Sequence, residues 1–247
     1  MQPKFRMFAG PNASGKTSLF DFLKTQSFIH TEIYINADSI EEKISFSMNF
    51  NFNAFHVKVS DNDFKKHILQ SGILKKISDK TFIDKLQIKS GILKMNIKKK
   101  ELNSYMASFI ASYLAEKLFE TKQSFCFETV LSHPSKINLL KLAQRHGYKT
   151  YLYFVFTDNW QLNIERVKLR VAYGGHNVDD KKVRTRYYRS LKLFKPAALL
   201  ANDSFLIDNS RNFELIAELK NGNLLRIADK YPEWLKKYYE PKSKVKD

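Results

Sequence analysis

The sequence predicts an α/β fold in which a five-stranded, mainly parallel sheet is covered by helices on both faces, a three-layer sandwich. Two observations carry this. Short, continuously apolar segments alternate with helical ones along the chain, and strands buried on both faces read as such runs. Between the first apolar segment and the first helix stands Gly10-Pro11-Asn12-Ala13-Ser14-Gly15-Lys16-Thr17, at the carboxyl end of a strand, where open parallel sheets bind ligands. A length of 247 residues suits a single domain spanning 1–247, with one large insertion.

Lys4 to Ala9 reads as a buried strand, and Ser18 to Thr25 as a helix with Leu19, Phe20 and Leu23 available to pack. Ile33 to Asn36 is a short second strand ending at Ala37-Asp38. The lysine-rich stretch 44–104 lacks arginine and is expected to be a helical insertion. Within it Ser-Gly-Ile-Leu-Lys occurs twice, at Ser71 to Lys75 and Ser90 to Lys94; two copies are too few for a solenoid and read as chance or a helix-turn recurrence. Met106, Phe109, Ile110, Tyr113, Leu114 and Leu118 recur at helical spacing. Ser124 to Val130 is a third strand, and a helix from about Pro134 to His146 is closed by Gly147. Thr150 to Phe156 is a fourth strand, apolar and aromatic throughout. Helices at 160–173 and 180–195 follow, the second expected to stop at Pro196, and Ser204 to Asp208 is a fifth strand.

The formal charge is +17, yet only nine of the 42 basic residues are arginine, and the lysines are scattered apart from Lys98-Lys99-Lys100 and the last dozen residues. Scattered lysine is ordinarily a solvated surface, which argues against nucleic acid as the main partner. The single cysteine, Cys126, lies in an apolar run and reads as a small buried hydrophobe. The sequence holds neither an apolar stretch of the roughly 18 residues that a membrane span needs nor a secretory h-region, so a cytoplasmic location is expected.

Gly10 to Thr17 matches G-x-x-x-x-G-K-[ST] in full, in the strand–loop–helix setting that the pattern requires. Its glycines let the backbone wrap closely around phosphates, with N–H groups and a helix N-terminus facing the anion. Residues Gly10 to Ser18 are therefore expected to bind ATP, with Lys16 on the β- and γ-phosphates and the Thr17 hydroxyl on Mg2+.

Two acids stand at strand ends, Asp38 and Glu128, where a carboxylate could accept the proton of an acceptor hydroxyl or help hold the acceptor or metal. Asp38 could instead cap the helix that follows it. Glu128, between Phe127 and Val130, should be largely buried and need a partner or ligand. Five arginines (Arg166, Arg170, Arg184, Arg186, Arg189) fall within 24 residues, on two helices joined at Gly174-Gly175-His176. The region 160–195 would suit a lid that brings guanidinium groups to phosphate; an exposed basic helix pair is the plainer alternative. His176 reads as structural.

These residues resemble the zeta toxins and zeta-toxin-like P-loop kinases. The likeness runs through the glycine loop, Ile35-Asn36-Ala37-Asp38, Phe127-Glu128-Thr129-Val130-Leu131-Ser132, Arg166-Val167 and Arg170 through His176, and Arg184 to Leu191. It implies a kinase-type P-loop fold and ATP-dependent phosphorylation of a hydroxyl on UDP-N-acetylglucosamine or a similar small-molecule acceptor, with an antitoxin protein as partner. It makes Asp38 the catalytic base and Glu128, Thr129 and Ser132 acceptor contacts. Arg170 and Arg186, with Arg166 and Arg184, become lid residues on the phosphates. The insertion 44–104 has no counterpart in that likeness. Other readings are a kinase of a nucleotide, antibiotic or RNA end, and an ATP-switched nucleic-acid-binding module; no Asn-Lys-x-Asp guanine signature is present.

Overall fold

The computed structural model describes residues 2–76, 81–102, 104–175 and 177–238; His176 and the basic tail beyond 238 lie outside them. In chain order the elements are β1 (Lys4–Ala9), α1 (Lys16–Thr25), β2 (Tyr34–Ile35), α2 (Ala37–Ser47), β3 (Asn49–Asn51), α3 (Asp61–Ser71), β4 (Leu86–Lys89), β5 (Ile92–Met95), α4 (Ser104–Thr121), β6 (Phe125–Thr129), α5 (Ile137–Arg145), β7 (Lys149–Phe156), α6 (Trp160–Ala172), α7 (Asp180–Ala198), β8 (Asp203–Asp208), β9 (Glu214–Lys220), β10 (Asn223–Ile227) and α8 (Glu233–Tyr238). The chain divides into two compact units, Met1–Glu32 with Ser124–Asp247, and Ile33–Gln123.

In the first unit the strands run β10-β9-β8-β7-β1-β6. β1 lies between two parallel neighbours, with Phe5 opposite both Phe125 and Thr150, and β8 continues the parallel set beside β7. The centre is aromatic: Phe5, Phe8, Phe125, Phe127, Phe154 and Phe156 are fully buried, and Phe8 stacks on Tyr153 at 4.8 Å between ring centroids. Placed between β7 and β6, β1 sets the glycine loop at the carboxyl edge of the parallel strands.

All five expected strands form, and β9 and β10 add an antiparallel pair, so the sheet has seven strands rather than five. The pair escapes a search for apolar runs because β10 fully buries none of its residues and β9 buries only part of its length. Asn221 and Gly222, which connect them, both take positive φ, as the tightest hairpin turns require. Gly147 closes α5 at φ 75° as expected. Pro196 does not stop α7, which continues to Ala198. In a final turn proline forfeits one hydrogen bond while its φ is already helical, and buried Ala197 and Ala198 hold that turn against the core.

The second unit is not wholly helical. It holds a three-stranded antiparallel sheet, β3-β5-β4, besides its helices. Phe52, Phe64 and Tyr113 are buried and pack edge-to-face, with centroids 5.1–6.2 Å apart. α3 is capped by Ser60, whose hydroxyl accepts from the Asp63 N–H at 3.3 Å. Its Asp61 carboxylate accepts from the Ile88 N–H of β4 at 2.7 Å. The two Ser-Gly-Ile-Leu-Lys copies adopt different structures. The first ends α3 with Gly72 as a left-handed cap; the second forms the β4–β5 turn and begins β5. The recurrence is one of letters only. Among the described residues no helix is long and apolar enough to cross a membrane.

Candidate active site

The glycine loop leaves β1 at Gly10 (φ 142°) and enters α1 through Gly15 (φ 98°). A Cβ at Gly10 would run into the Val155 carbonyl, and one at Gly15 into the Asn209 amide. Both positions therefore demand glycine for space as well as for φ. Between them Ala13 takes φ 54°, a left-handed conformation that costs an alanine roughly 1–2 kcal/mol. The loop is held there by side chains from afar. Asn163 Nδ2 donates to the Asn12 carbonyl at 2.6 Å, and Asn209 Nδ2 to the Ser14 carbonyl at 2.9 Å. The Ala13 side chain packs on an apolar cluster of Ile164, Val167 and Val183 from α6 and α7.

Lys16 is buried, and its Nζ donates to the Pro11 carbonyl at 2.8 Å. The partner required by a buried Glu128 is the loop itself. The Thr17 hydroxyl donates to Glu128 Oε2 at 2.8 Å, and Lys16 Nζ stands 3.8 Å from Oε1. The β1–β6 register, Phe8 opposite Glu128, produces this, with the Glu128 side chain only 12% exposed. Thr129 is buried, and its hydroxyl accepts from the Leu131 N–H at 3.1 Å, shaping the turn after β6; Ser132 is half-buried just beyond, and Ser18 is exposed on the first turn of α1.

Asp38 lies in the second unit, in the first turn of α2. The capping alternative falls to another residue, because Asn36 is the N-cap and its side chain accepts from the Asp38 N–H at 2.8 Å. The arginines have separate settings. Arg166 donates to the Ser210 carbonyl at 3.3 Å. Arg184 lies over the Trp160 ring, 4.9 Å from its centroid. Arg170 is half-buried against Gly175, where a Cβ would strike it, and Arg186 is half-buried on α7. Cys126 is fully buried, and burial pushes its thiol up to about 12, which removes it as a nucleophile near neutrality.

The loop fits a nucleotide's phosphates. Among the described residues the buried Ser14 Oγ finds no hydrogen-bond partner; a hydroxyl can donate to a phosphate oxygen, and native proteins seldom leave such an atom unanswered without a use for it. No group of three or more His, Cys, Asp or Glu is arranged for a metal among the described residues. A divalent cation here would depend on the Thr17 hydroxyl, with Glu128 behind it, and on oxygens brought by the nucleotide.

No family model matches the chain. It is 34% identical to an uncharacterised protein of Haemophilus influenzae over 71 residues, which are 28% of this chain and 51% of that protein. Among solved structures, the whole chain superposes on the AvrRxo1-ORF1:-ORF2 complex crystallised with ATP, with a TM-score of 0.60 and 14% identity. The fold is a P-loop kinase-type α/β fold. A second AvrRxo1-ORF1:AvrRxo1-ORF2 structure, with sulphate ions, superposes at a TM-score of 0.55 and 15% identity. The chain spans about half the length of the curated relative and 66% of the AvrRxo1 chains. At such identities the likeness is one of fold, and it agrees with the fold implied by the zeta-toxin resemblance.

Proposed function

We propose that this protein is an ATP-dependent small-molecule kinase of the zeta-toxin type, whose acceptor is a hydroxyl of a UDP-N-acetyl amino sugar. The observation that carries the reading is the contact set Lys16–Glu128–Thr17 at the glycine loop. It gathers an ammonium, a hydroxyl and a nearly buried carboxylate beside the N-terminus of α1. In the reaction the bond between the γ-phosphorus and the ADP oxygen breaks while one to the acceptor oxygen forms. The acceptor proton passes to a carboxylate, assigned to Asp38 on the resemblance, and from there to solvent. Lys16 binds β- and γ-phosphate oxygens and offsets the charge building on them. Glu128 orients the Thr17 hydroxyl and so belongs with the phosphate machinery more than with the acceptor. Mg2+, when bound through Thr17, supplies neutralisation of the triphosphate. Arg170 and Arg186, with Arg166 and Arg184, are proposed phosphate contacts once nucleotide is present, and Thr129 and Ser132 acceptor contacts. The AvrRxo1 structure crystallised with ATP supports nucleotide binding, and its two-protein composition supports an antitoxin-like partner here.

The test is incubation of purified protein with ATP, magnesium and UDP-N-acetylglucosamine, followed by mass spectrometry. The expected result is a product heavier by one phosphoryl group, formed by the natural protein and reduced about a thousandfold or more by Asp38→Ala. Equal products from both would remove Asp38 from the mechanism. Phosphorylation of a nucleotide, antibiotic or RNA end alone in a parallel panel would replace the acceptor and keep the kinase.

A further inference from the structure

The geometry points to Asn163 and Asn209 as positioning residues that set the glycine loop for nucleotide, an assignment that rests on reading Gly10 to Thr17 as the triphosphate cradle. A loop that turns successive N–H groups inward to an anion turns the matching carbonyls outward. In buried surroundings each outward carbonyl needs a donor of its own. The carbonyls of Asn12 and Ser14 flank Ala13, the one non-glycine residue of the loop at positive φ. Each is met by a side-chain amide, from Asn163 at 2.6 Å and from Asn209 at 2.9 Å.

Carboxamides suit this place. They donate without carrying charge, whereas lysine or arginine would set a second cation against the carbonyls and draw phosphate out of the cradle. The orientation of Asn163 follows from its neighbours. A carbonyl can only accept, so Nδ2 faces Asn12, and Oδ1 accepts from the Thr157 hydroxyl at 2.6 Å. Asn163 and Thr157 are fully buried, so water cannot replace either bond. The Thr157 carbonyl in turn accepts from the Tyr187 hydroxyl of α7 at 2.7 Å. One clamp therefore hangs from the arginine-bearing helices, and the other from the loop after β8. The second also shapes Gly15, because the Asn209 amide fills the space that a Cβ would take.

The experiment measures the Kd for ATP with magnesium on the full chain, the KM for ATP, and the melting temperature. It compares the natural protein with Asn163→Leu, Asn209→Ala, Thr157→Val and Thr157→Ser. Asn163→Leu and Asn209→Ala are each expected to raise Kd about tenfold or more, with KM for ATP rising more than kcat falls. Thr157→Val should raise Kd about threefold, and Thr157→Ser, which keeps the hydroxyl, should stay within about twofold. A merely structural role would lower the melting temperature and the folded fraction and leave the Kd of that fraction unchanged; that result overturns the clamp. If Asn163→Leu does not fold, Asn209→Ala reads the same effect from the opposite side of Ala13. A natural protein that binds no ATP overturns the cradle and the clamp together. One that binds ATP while both asparagine variants bind equally well overturns the clamp alone.

Discussion

Two polar networks among the described residues, one in each unit, are built on opposite terms. In the second unit Asp63 accepts from the Tyr113 hydroxyl at 2.7 Å and pairs with Lys117 at 2.9 Å, while His67 lies between Asp63 and Glu116 at 3.5 and 3.3 Å. Asp63 and His67 of α3 meet Tyr113, Lys117 and Glu116 of α4, and so fasten α3 to α4. Around the glycine loop the bonds instead fix the backbone, and Ser14 Oγ stays unmatched among the described residues. A network that satisfies itself stabilises; one that leaves buried polar atoms unanswered gives up stability for a ligand.

Three measurements sharpen this contrast. Glu128→Gln keeps the size and an acceptor for Thr17 but removes the charge beside Lys16. Phosphoryl transfer should fall about a hundredfold, or ~2.7 kcal/mol in activation free energy, with little change in the denaturation midpoint; steady-state kinetics and a urea titration check both. Tyr113→Phe should do the reverse. It keeps the ring and leaves Asp63 one donor short, so unfolding free energy should fall by about 1–2 kcal/mol with kinetic constants unchanged. The smallest effect concerns acid. Burial pulls the Asp63 carboxyl upward, but the Tyr113 hydroxyl, the Lys117 ammonium and His67 outweigh it and hold it below its ordinary value. A carboxyl depressed in the folded state contributes stability that is fully present above its unfolded pKa, near 4, and lost as pH falls through the folded value. The melting-temperature gap between the natural protein and Asp63→Asn should therefore shrink as pH falls below about 4. A gap that widens in acid would contradict this.

What the sequence discloses tracks how local its signals are. Gly10 to Thr17 is legible because chain geometry alone spaces its glycines, lysine and threonine. The parallel strands are legible as apolar runs. In the insertion, β4 does alternate, with Leu86 and Ile88 inward and Gln87 and Lys89 outward, but four residues among many lysines are easily passed over. Asn163 and Asn209 carry no local mark. Their partners lie 151 and 195 positions away, and nothing in the letters around them names the carbonyl of Asn12 or of Ser14. Asn36 differs: its bond is local, to the Asp38 N–H two residues on, and the letters alone offer both residues as caps for α2.

The bond from Asn209 to Ser14 has a temporal side. During synthesis the Ser14 carbonyl precedes the amide that braces it by 195 residues. A ribosome-bound chain that ends within α7 already has Lys16 and Thr17 but not the brace behind them. The loop thus waits for its second brace until Asn209 has been made.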